Sequence, residues 1–499
     1  MTCQNNFYVG RKETPRRIDR KDGQMQKQKD GDIEAKKTQS IVVALIPLVA
    51  MMVLLAVGYG VYQIKPQVLL VTAAFITGVL GFFLHFRWEV MEKGIVDSIH
   101  KAMPAILIML CVGILVGSWI AAGTIPMIIF YGLKLISPKM FLLTACFVCS
   151  LTSLATGTSW GTIGTLGVAF MGIAMALEIP LGPAAGAIVA GSYFGDKISP
   201  FSDVANLAPV AAGSNLFDHI KHMLWSAVPA WMIGLFVYFL VGLKYGSGTV
   251  ESETMTLIMK TLPENFHFNI FLLLPMAIVF YFAFTKKPVL PGMLLSAFTA
   301  GILALVFQGA SVKTVATAMN TGYQSNTGVA VVDTLVSRGG MMSMMETQLV
   351  AFTAFSFGGI MQRTGLLSVI FDRITTFTDK VWSIVLTSVG ASILTATVTG
   401  SSYLSMIVPG ELLSPVFKKK GLAAKNLSRI IEECGAIVVP LIPWSMAGVY
   451  VTGTIGVSPF TYLPWAIMNY LSVIILIVFG FTGFTMAKKI REDETHVGS

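Results

Sequence analysis

Thr156-Gly157-Thr158-Ser159-Trp160 recurs as Thr399-Gly400-Ser401-Ser402-Tyr403, and this recurrence decides the fold. In each copy a glycine and two hydroxyl side chains interrupt an apolar run, so the backbone can turn where a membrane helix would otherwise continue. Two further matches keep the same order. Gly117 and Gly123 share their spacing with Gly359 and Gly365, and Gly186-Ala187-Ile188-Val189 returns as Gly435-Ala436-Ile437-Val438. The offsets are 242, 243 and 249 residues. Collinear matches with small insertions imply two homologous halves, 41–243 and 266–485, joined by a connecting loop at 244–265.

The composition around these turns fits a chain embedded in lipid. Of 499 residues, 54% are hydrophobic and 12% charged, against about 25% charged in an ordinary soluble domain. The apolar residues fall in runs of about twenty, the length that carries a helix across ~30 Å of hydrocarbon. A soluble enzyme, a disulfide-stapled secreted domain and a disordered scaffold are excluded. The expected fold is an all-α polytopic membrane protein with about 11–12 crossings plus broken or re-entrant pieces. The five cysteines give no disulfide framework. Cys146 and Cys149 share one face of an apolar helix and read as small packing residues.

Thirty-five Lys and Arg against 26 acids leave a net charge of +9. In a membrane protein this excess marks cytoplasmic loops rather than a nucleic-acid partner. Residues 1–40 hold ten of the basic residues and no apolar signal core, so they read as a mobile cytoplasmic tail. Arg87, Lys93 and Lys101 follow the second apolar run, Lys286 and Lys287 the first run of the second half, and Lys418, Lys419 and Lys420 a later one. Their counterparts in the first half are poor in charge. Halves of opposite orientation explain the asymmetry, with the 486–499 tail also cytoplasmic and Glu251, Glu253 and Glu264 outside. Inverted repeats with interrupted helices are a transporter architecture. Lys313 and Arg338 fall outside on this scheme, which counts against it.

A carboxylate at membrane depth is expensive and marks function by default. Asp196 and Asp203 lie in Gly191–Asn206, where Gly191, Gly195 and Pro200 argue against a continuous helix. With Ser192, Ser199, Ser202 and Asn206 they form a dense oxygen cluster suited to a hard cation. The competing reading is a polar helix end in which Lys197 neutralises Asp196. The hydroxyls of Thr158, Ser159, Thr399, Ser401 and Ser402 aim oxygens from both turns at a common ligand; the plainer alternative is that they bond back to their own helices. Glu432 and Glu433 are adjacent, about 100° apart on a helix, so only one is expected to face the interior well; Glu433 is a candidate second proton or cation carboxylate. Asp218-His219-x-x-His222 reads as an interfacial cap rather than a metal site. Gly157-Thr158-Ser159-Trp160-Gly161 matches the hydrolase elbow pattern, but its flanks are helical and no histidine lies in either cluster, so no enzymatic serine is expected.

The stretch from Gly157 to His222 resembles the NhaC-type sodium/proton antiporter family. Gly195-Asp196-Lys197-Ile198-Ser199-Pro200-Phe201-Ser202-Asp203 is the most specific part. Leu335–Met341 and Phe357-Gly358-Gly359 are similar to the family's second-half pattern. The sequence has Phe201, Val204 and Ala205 where the family often shows Leu, Thr and Thr. The resemblance implies a cytoplasmic-membrane antiporter of a prokaryote, exchanging Na⁺ for H⁺ with no cofactor, in a superfamily that is often dimeric and elevator-like. A proton and Na⁺ would take turns on Asp196 or Asp203, with Asn206 and the serine and threonine hydroxyls completing the shell. The alternative is a sodium- and proton-coupled organic-anion exchanger of malate/lactate type; no arginine sits clearly within a span to pair such an anion. A channel or non-transporting receptor is the alternative from another class.

Overall fold

The computed structural model describes residues 40–59, 61–62, 64–245, 253–285, 287–375 and 380–488. The N-terminal tail, Glu251, Lys286 and the C-tail from Lys489 onward lie outside the described residues. Helices make up nearly all of the rest, with no strand among the described residues beyond one antiparallel bridge between Leu422 and Lys488.

The helices of the first half are α1 (Ile41–Tyr59), α2 (Pro66–Phe83), α3 (Trp88–Ala121), α4 (Thr124–Leu135), α5 (Phe141–Thr156), α6 (Ser159–Ala176), α7 (Leu181–Ile198), α8 (Asp203–Ala212) and α9 (Leu216–Lys244). The expected connecting loop carries α10 (Glu253–Asn265). Then come α11 (Leu274–Phe284), α12 (Val289–Phe307), the short α13 (Val312–Asn320) and α14 (Ala330–Val336), α15 (Met345–Arg363), α16 (Leu366–Thr375), α17 (Val381–Thr399), α18 (Ser402–Lys419), α19 (Ala424–Leu441), α20 (Met446–Ile455), α21 (Pro459–Trp465) and α22 (Ile467–Thr482). Among the described residues eight helices are long and apolar enough to cross a bilayer, or eleven if three bent pairs each count as one span. The upper figure meets the lower end of the sequence expectation. The chain is a multi-pass membrane protein.

Two breaks in each half set the site, and they recur in one register. At the first, α5 ends on Gly157 (φ 70°) and α17 on Gly400 (φ 63°), a left-handed conformation that glycine adopts without a Cβ clash. The next residues, Thr158 and Ser401, cap the following helices by accepting the amides of Gly161 and Leu404. At the second, Ser202 and Ser445 cap α8 and α20 through the amides of Ala205 and Gly448, and both helices end on left-handed Gly213 and Gly456. Gly157 and Gly400 lie 243 residues apart, as do Ser202 and Ser445, and Gly213 and Gly456. The two breaks also meet alike in each half. Ser199 Oγ donates to the Leu154 carbonyl at 2.7 Å, and Trp444 Nε1 donates to Thr397 at 2.8 Å, the same carbonyl one repeat later. The Gly186/Gly435 match is six residues out of this register and marks no shared break.

One expectation is corrected. Gly191 and Gly195 do not unwind the chain, because α7 runs unbroken through Asp196 to Ile198. They are contact residues: a Cβ on Gly191 would stand 2.2 Å from the Cys146 carbonyl oxygen, and one on Gly195 2.3 Å from that of Ser150. Small residues spaced four apart let α7 lie directly on α5. Cys146 and Cys149 are buried free thiols in this contact, in line with the packing reading.

Candidate functional site

The paired breaks enclose a cavity of about 580 Å³. Its wall takes Thr158, Ser159 and Trp160 from the first turn, and Ser402 and Tyr403 from the matching turn of the second half. Asp196 enters from the end of α7 and Asp203 from the start of α8. The two carboxylates sit differently. Asp196 is buried, and its Oδ2 accepts the Ser159 Oγ–H at 2.6 Å and the Ser159 N–H at 3.1 Å. These donors stand in the first turn of α6, where the free amides favour negative charge. Its Oδ1 is buried with no hydrogen-bond partner among the described residues. Tyr193, three residues earlier on the same helical face, lines the same cavity with its hydroxyl also unpartnered. Asp203 is exposed to the cavity; it accepts the hydroxyl of Tyr403, which ties α8 to α18 across the halves.

Asp196, Tyr193, Asp203 and Ser402 all present oxygen donors on the cavity wall. That suits a hard cation, whereas softer metals favour nitrogen and sulfur. No group of three or more His, Cys, Asp or Glu able to hold a metal ion occurs among the described residues.

Several candidates shape the breaks instead of lining the cavity. Ser199 Oγ is spent on Leu154, and Ser202 and Ser401 cap helices. Asn206 donates to the carbonyls of Pro200 and Ser202, and Thr399 to that of Thr395. None of the five is on the cavity wall. Each hydroxyl or amide meets a backbone group freed by the break before it can reach a ligand.

Glu433 is also off the wall. Its Oε1 lies 3.0 Å from Lys197 Nζ and accepts Ser226 Oγ at 2.6 Å, with both charged side chains fully buried. Lys197 therefore answers Glu433, 236 residues away, rather than its neighbour Asp196. Both glutamates are inside, contrary to the expectation of only one: Glu432 Oε2 stands 2.5 Å from His219 Nε2, and neither is exposed. His219 and His222 are buried polar partners of α19, and Asn215 caps α9 in their place. Arg429 is buried too, near the start of α19, where local sequence offers no sign of a buried arginine. It does not line the cavity.

Sequence reading missed the aromatic wall. Trp160 and Tyr450 stack at 4.3 Å between ring centroids, and the Tyr450 hydroxyl donates to the Trp160 carbonyl at 2.5 Å. The three-residue spacing from Tyr193 to Asp196 was the available signal for one of these residues; the 290-residue pairing of Tyr450 with Trp160 left none.

A polytopic helical protein with a polar cavity at matched helix breaks, and a carboxylate buried beside it, has the build of a membrane transporter. Comparison with known proteins narrows this. The profile of the Na⁺/H⁺ antiporter family matches residues 11–205 and 191–484. An "Uncharacterized Na(+)/H(+) antiporter" of Haemophilus influenzae is 41% identical over 89% of this chain and 96% of its own length. The Na⁺/H⁺ antiporter NhaC of Alkalihalophilus pseudofirmus is 34% identical over 91% of this chain and 98% of its own. The malate-2H⁺/Na⁺-lactate antiporter of Bacillus subtilis is 34% identical over 88% and 94%. The chain belongs to the Na⁺/H⁺ antiporter family.

Proposed function

We propose that the protein exchanges Na⁺ for H⁺ across the cytoplasmic membrane by alternating access, with Asp196 as the carboxylate the two ions share. The supporting observation is the half-satisfied state of that side chain. One oxygen is fixed by Ser159, while the other is buried without a hydrogen-bond partner, on a cavity wall that Tyr193 shares. A buried carboxylate must be compensated. A sodium ion or a proton on Oδ1 does this equally, but both cannot occupy it together. Exchange follows when the empty, charged form is too costly to cross between the two open states. Asp203 and Tyr403 stand opposite, at the contact between halves, where a relative movement would remake their bond. The distribution of basic loops supports cytoplasmic termini, and its asymmetry between the halves supports their opposite orientation. Na⁺-dependent proton release from vesicles tests the reading; full activity in Asp196→Asn would remove it.

A second reading is favoured by the size and charge of the cavity. About 580 Å³ is far more than one ion fills, and Lys101 and Lys287 stand on its wall. An organic anion exchanged with Na⁺ or H⁺ as coupling ion would use them, the activity named for the Bacillus subtilis relative. Counterflow of labelled malate or lactate in proteoliposomes separates the two readings.

A further inference from the structure

Beside the cavity runs a second polar seam that the proposed cation site does not include. On α9, His219, His222 and Ser226 are spaced three and four apart, so they share one face. On α19, Asn426, Ser428, Arg429, Glu432 and Glu433 are all fully buried. The contacts are specific. His222 Nε2 stands 3.1 Å from Asn426 Oδ1; His219 stands 2.8 Å from Ser428 Oγ and 2.5 Å from Glu432 Oε2; Ser226 donates to Glu433, which meets Lys197. Lys197 reaches the cavity wall. The far end is closed by the chain's last described segment. Ala487 exchanges two hydrogen bonds with the Asn426 side chain, Arg429 donates to Thr485 Oγ at 3.0 Å, and the exposed Lys488 follows.

So many ionisable groups buried in the bundle are expensive and need a use. The seam also holds unmet demand: Glu432 Oε1, Glu433 Oε2 and Arg429 Nε are each buried without a hydrogen-bond partner among the described residues. We infer that this seam is a proton route: the His219–Glu432 pair passes protons between the Asn426 end and the Lys197–Glu433 pair beside the cavity, by a path separate from the one Na⁺ takes. The charged groups around the pair are His222 on α9, Lys425, Arg429 and Glu433 on α19, and Lys197 on α7. Histidine is the side chain suited to taking and giving a proton near neutrality. A proton accepted by His219 from the Asn426 end moves across the 2.5 Å contact to Glu432, and the imidazole is left neutral to accept the next. Glu432 and Glu433 reach oppositely along α9, to His219 and Ser226, seven residues and about 10.5 Å of helix rise apart, a span that about three hydrogen-bonded waters on the unpartnered oxygens would bridge.

The inference rests on the proposed Na⁺/H⁺ exchange, and two transport modes in proteoliposomes of the full chain keep the claims apart. Labelled Na⁺ exchanging with Na⁺ at uniform pH needs the cation site alone. Na⁺ uptake driven by a pH gradient needs proton entry as well. In Glu432→Gln and His219→Gln, sodium counterflow is expected within about twofold of the unaltered protein, while gradient-driven uptake falls about tenfold or more. Counterflow also reports folding, and if Glu432→Gln gives no folded protein, His219→Gln decides by the same two readings. Gradient-driven uptake left intact, or both modes falling in proportion, overturns the route. Absence of counterflow in the unaltered protein would instead strike the cation site.

Discussion

Removing one partner of the Lys197–Glu433 pair should be among the costliest single changes in the protein. The Nζ and Oε1 atoms are 3.0 Å apart and neither side chain has measurable exposure. Glu433→Gln leaves an ammonium in the bundle without its counter-charge, and stripping one member from a buried pair costs about 3–5 kcal/mol. It also weakens a charged hydrogen bond from Ser226, within that figure. Lys197→Met should fall at the lower end, because Arg429 remains near Glu433. Replacing both by apolar residues of similar volume, Lys197→Met with Glu433→Leu, removes the uncompensated charge and should return to within about 1–2 kcal/mol of the unaltered protein. Unfolding in mixed micelles, followed for the unaltered protein, the two single variants and the double variant, reads these values directly. A loss below about 1 kcal/mol in Glu433→Gln, or a double variant no better than the worse single, would refute the buried pair.

Three other outcomes follow from single contacts. Ser159→Ala removes the 2.6 Å hydroxyl bond to Asp196 but keeps the amide; the lost charged bond, about 1.5–3 kcal/mol, should weaken apparent Na⁺ affinity by about tenfold or more in transport titrations. Gly195→Val places a side chain against the Ser150 carbonyl, and overpacking of about 1–3 kcal/mol or more should show as lost thermal stability in detergent. Ser202→Ala and Ser445→Ala each remove an equivalent cap, and matched losses of about 1 kcal/mol are expected in unfolding titrations.

The helix breaks were legible because they depend on local chemistry. Gly157 and Gly400, each followed by a hydroxyl that caps the next helix, announce themselves in the sequence and locate Thr158, Ser159 and Ser402 beside the cavity. Other features depend on which distant helix lies opposite. Gly191 and Gly195 looked like breakers because glycine spacing alone does not separate unwinding from close packing; the presence of α5 decides it. Local sequence pairs Lys197 with Asp196, its neighbour in the chain, yet adjacent side chains diverge by about 100° on a helix and Glu433 waits on the other side. Glu432 and Glu433 both enter the interior because α9 offers His219 and Ser226 in two directions, which no local pattern reveals.

Na⁺ binding to the purified protein by titration calorimetry, repeated with Asp196→Asn, meets the central claim head-on. Binding that releases protons in the unaltered protein and vanishes in the variant is the expected result. Undiminished, proton-linked binding in the variant would show that the shared carboxylate lies elsewhere.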